Sequence, residues 1–214
     1  DRADEMTVKL YHYWRSSACY RVRIVLNLKG IAYEAVHIGL LDGDQRSADY
    51  LAKNPQGLIP MLEIDGHRLT QSLAIIDYLD ATRPEPPMVP KDPAARSHVL
   101  AAALAIAADI HPINNLRILH YLKEELGADQ AARDTWYRHW IAEGFAALET
   151  MLDPETPFIG GAAPGIADAC LVPQMANARR FELPLDAYPT LVRIDAACNA
   201  LDAFKRAHPE AVKP

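Results

Sequence analysis

The chain has 214 residues, half of them hydrophobic, and a formal net charge of −6. That length allows one large domain or two small ones. Acidic and basic residues are interspersed, which argues against general binding to nucleic acid or to a membrane surface. No run approaches the ~18 consecutive apolar residues of a membrane span. Three scattered cysteines have neither metal-ligand nor redox spacing. We therefore expect reduced thiols and a cytoplasmic protein.

The first six residues, DRADEM, are acidic where a secretory signal peptide would be basic. We expect no signal peptide. We treat Asp1 to Glu5 as a short leader outside the fold, and the first predicted domain starts at Met6.

The segment 8–82 alternates between strand-like and helix-like patterns. Gly30 is a helix stop signal and Asp65-Gly66 is a hairpin turn signal. The predicted strands are Val8–Tyr13, Tyr33–Ile38, Ile59–Ile64 and His67–Thr70. The predicted helices are Ser17–Lys29, Arg46–Lys53 and Ser72–Thr82. This β-α-β-α-β-β-α order indicates a mixed sheet flanked by helices.

A proline-rich stretch ends the alternating segment. Five prolines lie between Arg83 and Pro93, a density that excludes both helix and interior strand. Beyond it, stretches rich in alanine and leucine have helical spacing. The predicted helices are Ala94–Ala108, Ile110–Leu126, Asp129–Leu152, Ile166–Phe181 and Pro189–Ala207. We therefore predict an α/β domain at 6–83, a linker at 84–93 and an all-helical domain at 94–214.

The motif Arg15-Ser16-Ser17 lies at the start of the first predicted helix. A helix start carries unpaired N–H groups and a partial positive charge, so it stabilises an anion. Serine hydroxyls at that place can donate to the same anion. The plainer interpretation is that one serine is simply an N-cap. A cap needs only one serine, however, and does not explain Arg15.

Two further motifs lie near the hairpin. A cis Ile59-Pro60 bond would present the backbone of Ile59 to an extended peptide, whereas a trans proline on an edge strand is the commoner arrangement. Ser72 opens a helix, either as a cap or as part of a second anion site assisted by Gln71. Two anion sites with a strand edge between them would suit a short peptide that is anionic at its ends and carries a thiolate.

These motifs together resemble a known family. The stretches YWRSSACYRVRIVLNLKG, NPQGLIPML, DIHPINNLRIL and ADACLVPQMANARRF are similar to the zeta class of cytosolic glutathione transferases, which includes maleylacetoacetate and maleylpyruvate isomerases. The resemblance runs from Met6 to about His208. It implies a thioredoxin-like domain followed by an all-helical domain, glutathione as cofactor, a small dicarboxylate as substrate, and a homodimer.

The resemblance also implies which residues act. Ser16 and Ser17 would lie at the glutathione sulfur, and Arg15 and Arg180 would bind substrate carboxylates. Ile59 would pair with the cysteinyl backbone ahead of a cis Pro60. The γ-glutamyl carboxylate would be held by Gln71 and Ser72. The remaining family-matched positions in the site are Gln45, Gln56, Asp109, His111, Asn115 and Arg117.

Two positions depart from the zeta pattern. Ala18 replaces its usual cysteine, and Cys19 follows one residue later. A helix turns about 100° per residue, so we expect Cys19 to point away from the sulfur site and to be dispensable. Gly165 replaces the usual Ser or Thr of a capping pattern with Asp168, which we interpret as purely structural.

Some of the other residues also have plainer interpretations. His111, which precedes a proline, could be an ordinary structural histidine. The arginines Arg117, Arg179 and Arg180 could form a solvated helix face.

The implied reaction is cis-to-trans isomerisation of a maleyl diacid by reversible conjugate addition of a thiolate. Free thiols are mostly protonated near neutral pH, so the site must lower the thiol pKa. A conjugating or dehalogenating glutathione transferase is an alternative that needs no set of arginines. A non-catalytic binding protein on the same fold is a second alternative. The sequence does not distinguish maleylacetoacetate from maleylpyruvate.

Overall fold

The computed structural model describes residues 7–214, so the predicted leader and the start of the first domain at Met6 lie outside the described residues. The chain divides into two compact units. The first contains the residues up to Met88 together with Leu201–Pro214, and the second is Val89–Ala200.

The first unit is built on one mixed sheet. Its strands are β1 (Lys9–His12), β2 (Glu34–His37), β3 (Met61–Ile64) and β4 (His67–Thr70), in the order β2-β1-β3-β4. Strand β1 runs parallel to β2 and antiparallel to β3, and β3 and β4 form an antiparallel hairpin. Asp65 and Gly66 both have positive φ at the hairpin turn, as a tight turn of this kind requires. The predicted mixed sheet is confirmed.

The helices of this unit follow the predicted order. In the part of the unit up to Met88 they are α1 (Ser17–Leu28), α2 (Ala48–Leu51) and α3 (Ser72–Thr82). Gly30, at a φ of +65°, ends the first of them. Helix α2 is shorter than predicted because a 3₁₀ turn at Asp44–Arg46 precedes it and Ser47 then caps it.

A buried ammonium group ties the proline-rich segment to α1. The Lys29 side chain has no exposed surface, and its Nζ donates to Oδ1 of Asp80 and to the carbonyls of Arg83 and Pro86. Asp80 also accepts from the Met88 N–H at 2.8 Å. Because all three ammonium donors have acceptors, the start of the predicted linker is held in a defined conformation.

The second unit is helical. Its helices are α4 (Pro93–Leu104), α5 (Leu116–Glu124), α6 (Gln130–Met151), α7 (Ile166–Arg180) and α8 (Pro189–Asn199). Asp92 and Asp129 cap the N-termini of α4 and α6. Helix α8 is capped from a neighbour, since the Glu149 carboxylate of α6 accepts from the N–H groups of Thr190 and Leu191.

The capping motif at the start of α7 is structural, as we interpreted it. Gly165 occupies the N-cap position, and the Asp168 carboxylate accepts from the N–H groups of Gly165 and Ile159 at 2.9 and 3.0 Å. Burial raises the pKa of Asp168 to about 6, against the opposing effect of these hydrogen bonds.

Two of the predicted helix boundaries were wrong in the segment 94–126. Helix α4 ends at Leu104, a π-helical turn follows at Ala105–Ile110, and a 3₁₀ turn at Pro112–Asn114 precedes α5. Pro112 has no N–H to continue the helical ladder. Asn115 caps α5 instead, so the helix begins later than its apolar spacing suggests.

The predicted helix Pro189–Ala207 was also wrong, because the chain breaks it in two. Leu201 is extended after α8, and two short helices follow, α9 (Asp202–Ala207) and α10 (Pro209–Val212). Helix α9 packs against α1, burying Phe204 and Ala207. The last residues therefore belong to the first unit, and the predicted domain 94–214 extends too far.

One helical segment, Pro93–Glu124, is long and apolar enough to cross a membrane by length and composition alone, with a mean hydropathy of 1.4 in its most apolar part. This is weak support for a membrane span, because core helices of globular proteins pass the same test.

Candidate functional site

The two serines at the start of α1 have different positions. Ser16 is the N-cap, and its Oγ accepts from the Cys19 N–H at 3.3 Å. Ser17 is the first helical residue and is only 6% exposed. Capping, the plainer interpretation, thus accounts for Ser16 and does not account for Ser17.

Cys19 lies in the core. Its side chain has no exposed surface, and burial raises the pKa of its thiol despite the opposing hydrogen bond with Ser16. A buried thiol with a raised pKa is a poor nucleophile. The position agrees with our expectation that Cys19 does not replace the family's cysteine.

Arg15 is exposed immediately before this helix start. Its guanidinium carbon lies 4.9 Å from the centroid of the Trp14 ring, a cation–π contact. Lys213 places its Nζ at the same distance from the same ring. The indole therefore contacts one cation from the start of the chain and one from its end.

The start of α3 is organised differently from that of α1. Gln71 occupies the N-cap position with a φ of +68°, and its side chain does not cap the helix. Its amide donates instead to Oε1 of Gln56 at 2.8 Å. Ser72 is buried, and its Oγ accepts from the Arg21 guanidinium at 3.1 Å. This helix start can accept an anionic group at its N–H groups.

The Ile59-Pro60 bond is cis. Neither the N–H nor the C=O of Ile59 has a hydrogen-bond partner within residues 7–214. The preceding carbonyl, that of Leu58, is held by the Tyr50 hydroxyl at 2.6 Å and the Asn54 amide at 2.8 Å. A firmly held chain with an unused backbone donor and acceptor suits pairing with an extended peptide.

Gln45 adds an unsatisfied acceptor. It lies in the 3₁₀ turn before α2, and its Oε1 is buried without a partner in the part of the chain that the structure describes. A buried amide oxygen of this kind is unfavourable unless a bound group donates to it. The residues of the first unit thus fit a short peptide with a terminal carboxylate, which is the chemistry of glutathione.

The predicted residues of the second unit are spread over several turns. Asp109 lies exposed in the π-helical turn and Arg117 lies exposed in the first turn of α5. His111 is half-buried between the two irregular turns. Asn115 is the N-cap of α5, where its Oδ1 accepts from the Leu116 N–H at 2.9 Å. Asn115 therefore has a structural contact of its own.

The neighbouring arginines at the end of α7 point to different partners. Arg179 is exposed, as a solvated helix face would require, and it also donates to the buried Asp195 carboxylate at 2.7 Å. Arg180 is exposed, with its guanidinium carbon 5.1 Å from the Phe181 ring centroid. That ring stacks on Tyr137, with the two ring centroids 3.6 Å apart. The exposed Arg180 guanidinium thus packs against one ring of the stacked Tyr137–Phe181 pair.

Sequence reasoning did not assign the two buried arginines of α1. Arg21 and Arg23 lie within a run of buried residues from Cys19 to Leu26, and Arg21 supports Ser72. The signal was present, because two arginines interrupt an otherwise apolar helix. Charged side chains are almost never fully buried without partners, so this pattern predicts specific contacts.

The sheet, the cis proline and the two helix starts define a protein of the glutathione transferase type. Residues 10–87 match the family described as glutathione S-transferase, N-terminal domain.

Longer comparisons cover nearly the whole chain. A maleylacetoacetate isomerase of Rhizobium meliloti (strain 1021) is 52% identical over 96% of this chain and 97% of its own length. A holo structure of a maleyl pyruvate isomerase, a bacterial glutathione transferase of the zeta class, is 44% identical, covers 96% of this chain and 98% of its own, and has a TM-score of 0.94. A maleylacetoacetate isomerase from Methylobacterium extorquens AM1 with bound malonate and glutathione is 43% identical, covers 96% and 98%, and has a TM-score of 0.92.

The chain therefore belongs to the zeta-class glutathione transferase family that includes the maleylacetoacetate and maleylpyruvate isomerases. The resemblance noted from the sequence motifs is confirmed.

Proposed function

We propose that the protein catalyses the glutathione-dependent cis-to-trans isomerisation of a maleyl dicarboxylic acid. The observation that carries the proposal is the arrangement of the first unit, where two helix starts suited to anions accompany the unused backbone of Ile59. The family relationship supplies the reaction class, since relatives over nearly the full length are named as these isomerases. Glutathione, when bound, supplies the thiolate that adds reversibly to the double bond of the substrate.

The residues that hold glutathione in this proposal lie on four segments of the first unit. The start of α3, with Ser72 and the Gln71 side chain, receives the γ-glutamyl carboxylate. The backbone of Ile59, ahead of Pro60, pairs with the cysteinyl residue as an added strand would. Gln45 and Gln56 receive the glycyl end, where the buried oxygen of Gln45 gains a donor.

The start of α1 lowers the thiol pKa in this proposal. A thiolate is stabilised by the positive end of a helix and by hydroxyl donors. Ser17 is the stronger candidate donor because it is the first residue of the helix and does not form the cap, whereas Ser16 does. The Ser16 hydroxyl hydrogen can still donate. Both serines thus remain proposed catalytic residues, with unequal expected contributions.

Arginines supply the charge that a diacid needs. We assign Arg15 and Arg180 to the substrate carboxylates because both are exposed and neither pairs with a carboxylate among residues 7–214. Asp109, His111, Asn115 and Arg117 are proposed to face the bound ligands, as the family resemblance implies. Of these, Arg117 is the candidate for a third substrate cation.

The arginine pair on α7 allows a direct test of the diacid proposal. Each charge-assisted contact is worth roughly 1.5–3 kcal/mol. Arg180→Ala should therefore lower kcat/KM for the maleyl diacid by about ten- to a hundredfold, with conjugation to an uncharged electrophile nearly unchanged. Arg179→Ala removes the charged partner of buried Asp195 and leaves the hydrogen bond from Asn199, so it should lower thermal stability with a smaller effect on kcat/KM. Equal losses toward charged and uncharged substrates would make Arg180 a structural residue.

The reaction itself is tested by following isomerisation of maleylacetoacetate and of maleylpyruvate, each with and without glutathione. Glutathione-dependent turnover of either diacid supports the proposal, and the ratio of the two kcat/KM values identifies the preferred acid. Conjugation of electrophiles without isomerisation would favour a general transferase. Absence of glutathione binding would leave a binding protein on a transferase fold.

We also propose that the enzyme is a cytoplasmic homodimer, as the resemblance to the zeta class implies. The protomer mass is 23.7 kDa. Sedimentation should therefore give a species of about twice that mass at micromolar protein, and a monomer across that range would contradict the proposal.

A further inference from the structure

Arg23 connects three segments of the first unit from inside its core. Its Nε donates to the Ala207 carbonyl at 3.0 Å, and its second terminal nitrogen donates to the Trp14 carbonyl at 3.0 Å. The other terminal nitrogen lies 3.3 Å from Nδ1 of His12. The guanidinium carbon also lies 5.3 Å from the centroid of the Tyr20 ring. One side chain thus joins the end of β1, the loop before α1 and the end of α9.

These contacts are unusual for a buried charge. Arg23 has no exposed surface, and its partners are two carbonyls, an imidazole and an aromatic face. No carboxylate forms an ion pair with it within residues 7–214. An apolar residue could fill a core without this unfavourable desolvation. The planar guanidinium, however, can fix several acceptors at defined angles, which an apolar side chain cannot do.

The loop fixed by Arg23 leads directly to the proposed thiolate site. Trp14 precedes Arg15, and the Ser16 N–H donates to the Tyr13 carbonyl at 3.0 Å. The segment between β1 and α1 is therefore held at Tyr13 by a turn and at Trp14 by Arg23. A shift of this segment would move Arg15 and the first turn of α1 together.

The C-terminal segment makes further contacts with α1 and with the loop before it. Beyond Ala207, the His208 ring makes an edge contact with Tyr20 at 6.2 Å, and Lys213 lies over the Trp14 ring that also contacts Arg15. The end of the chain thus reaches both the interior and the outer side of the same loop.

We propose that Arg23, together with the C-terminal segment 201–214, is a positioning device for the thiolate-stabilising start of α1. The inference rests on the proposed function. Arg23 touches neither glutathione nor substrate in this account, and it acts by fixing the Trp14 carbonyl against α9. Because Ile59 and the start of α3 lie outside this set of contacts, Arg23 governs turnover and thiol ionisation more than glutathione affinity.

The test compares Arg23→Lys with Asn27→Ala. Lysine keeps the charge and loses the planar set of donors. Asn27 lies on the same helix and donates to the same C-terminal segment, at the Ala203 carbonyl, 2.9 Å away, but it does not contact the loop. Arg23→Lys should lower kcat by about tenfold and leave the KM for glutathione within about twofold. Asn27→Ala should lower the melting temperature and keep kcat.

The second measurement is the pKa of the bound glutathione thiol, followed by the ultraviolet absorbance of the thiolate as the pH is varied. It should rise by about one unit in Arg23→Lys and stay unchanged in Asn27→Ala. A purely structural role would lower the stability of both variants without this difference. Unchanged kcat and thiol pKa in Arg23→Lys, or equal losses of kcat in both variants, would overturn the proposal.

A milder variant covers the case in which Arg23→Lys does not fold. His12→Leu removes one acceptor from Arg23 and leaves its other two hydrogen bonds, so the same shifts should occur at smaller amplitude. Unchanged thiol pKa in a folded His12→Leu variant would then contradict the inference. Failure of the wild-type protein to bind glutathione would instead contradict the proposed function, which keeps the two failures distinguishable.

Discussion

The starts of α1 and α3 look alike in sequence, since each has a serine at the beginning of an apolar helix, yet they are organised differently. At α1 the cap is Ser16, and the following serine is the buried first residue of the helix. At α3 no side chain caps the helix, and Ser72 takes the position that Ser17 takes in α1. The comparison shows that both helices have a buried serine in the first helical position, and that only α1 has a capping serine before it. We therefore expect the first-position serine to contribute more to ligand chemistry at each place than a capping serine does.

Ser17→Ala should have the largest effect on activity. Loss of a donor to the developing anion should lower kcat by about a hundredfold, with little change in melting temperature. Ser16→Ala is the matched control. It should lower the free energy of unfolding by about 1 kcal/mol and reduce kcat much less. A double variant with wild-type turnover at saturating glutathione would show that α1 does not activate the thiol.

Ser72→Ala should act on binding, because the start of α3 is proposed to receive a carboxylate that does not react. We expect the KM for glutathione to rise by about tenfold and kcat at saturation to change little. Ser47→Ala, which removes the cap of α2, controls for loss of a helix cap nearby. If Ser72→Ala lowered kcat and left the KM for glutathione unchanged, the proposed role of Ser72 in glutathione binding would be wrong.

Low pH should lower the stability of the region around α1, where His12 contacts Arg23. Burial, followed by the nearby charges of Arg23 and His37, lowers the pKa of His12 to about 4 from an ordinary value of 6.5. The unfolded chain therefore binds a proton more readily than the folded one between these values. The associated stability is complete above pH 6.5 and is lost as the pH falls toward 4, by about 3 kcal/mol at most. Urea unfolding at several pH values should show this slope, and His12→Asn should reduce it.

Cys19→Ser should have the smallest effect on activity. The thiol is buried behind the helix start, so turnover at saturating glutathione should remain within about twofold of wild type. A hydroxyl in the core should still lower the melting temperature. A loss of activity by two orders of magnitude would mean that Cys19, and not glutathione, supplies the reactive thiol. The proposed role of the α1 start in stabilising the glutathione thiolate would then be wrong.

Sequence patterns predicted the elements whose limits are marked by local signals. The β4 strand and α3 were predicted with the observed bounds, because Asp65-Gly66 precedes the strand and Gln71 separates it from the helix that Ser72 begins. The break between α8 and α9 was missed, because the apolar spacing continues through Leu201. Its cause is the packing of Phe204 and Ala207 against a helix from the opposite end of the chain.

The candidate site was predictable to the extent that its residues lie in short motifs. Arg15, Ser17, Gln71 and Ser72 could be proposed as site residues because each lies at or next to a helix start. Arg23 was not found, since its partner Ala207 lies 184 residues away and no local pattern records that contact. The π-helical turn at Ala105–Ile110 also carries no simple composition signal, so the surroundings of Asp109 and His111 could not be predicted.

The return of the C-terminal segment to the first unit has a consequence for synthesis in the cell. Most of the first unit emerges from the ribosome before the second unit, but α9 and α10 emerge after it. At typical elongation rates of about 5–20 residues per second, Arg23 waits roughly 10–40 seconds before the Ala207 carbonyl is available to it. The first unit is thus completed only after the second has been translated, and a nascent chain released before Leu201 would lack the contact between Arg23 and Ala207.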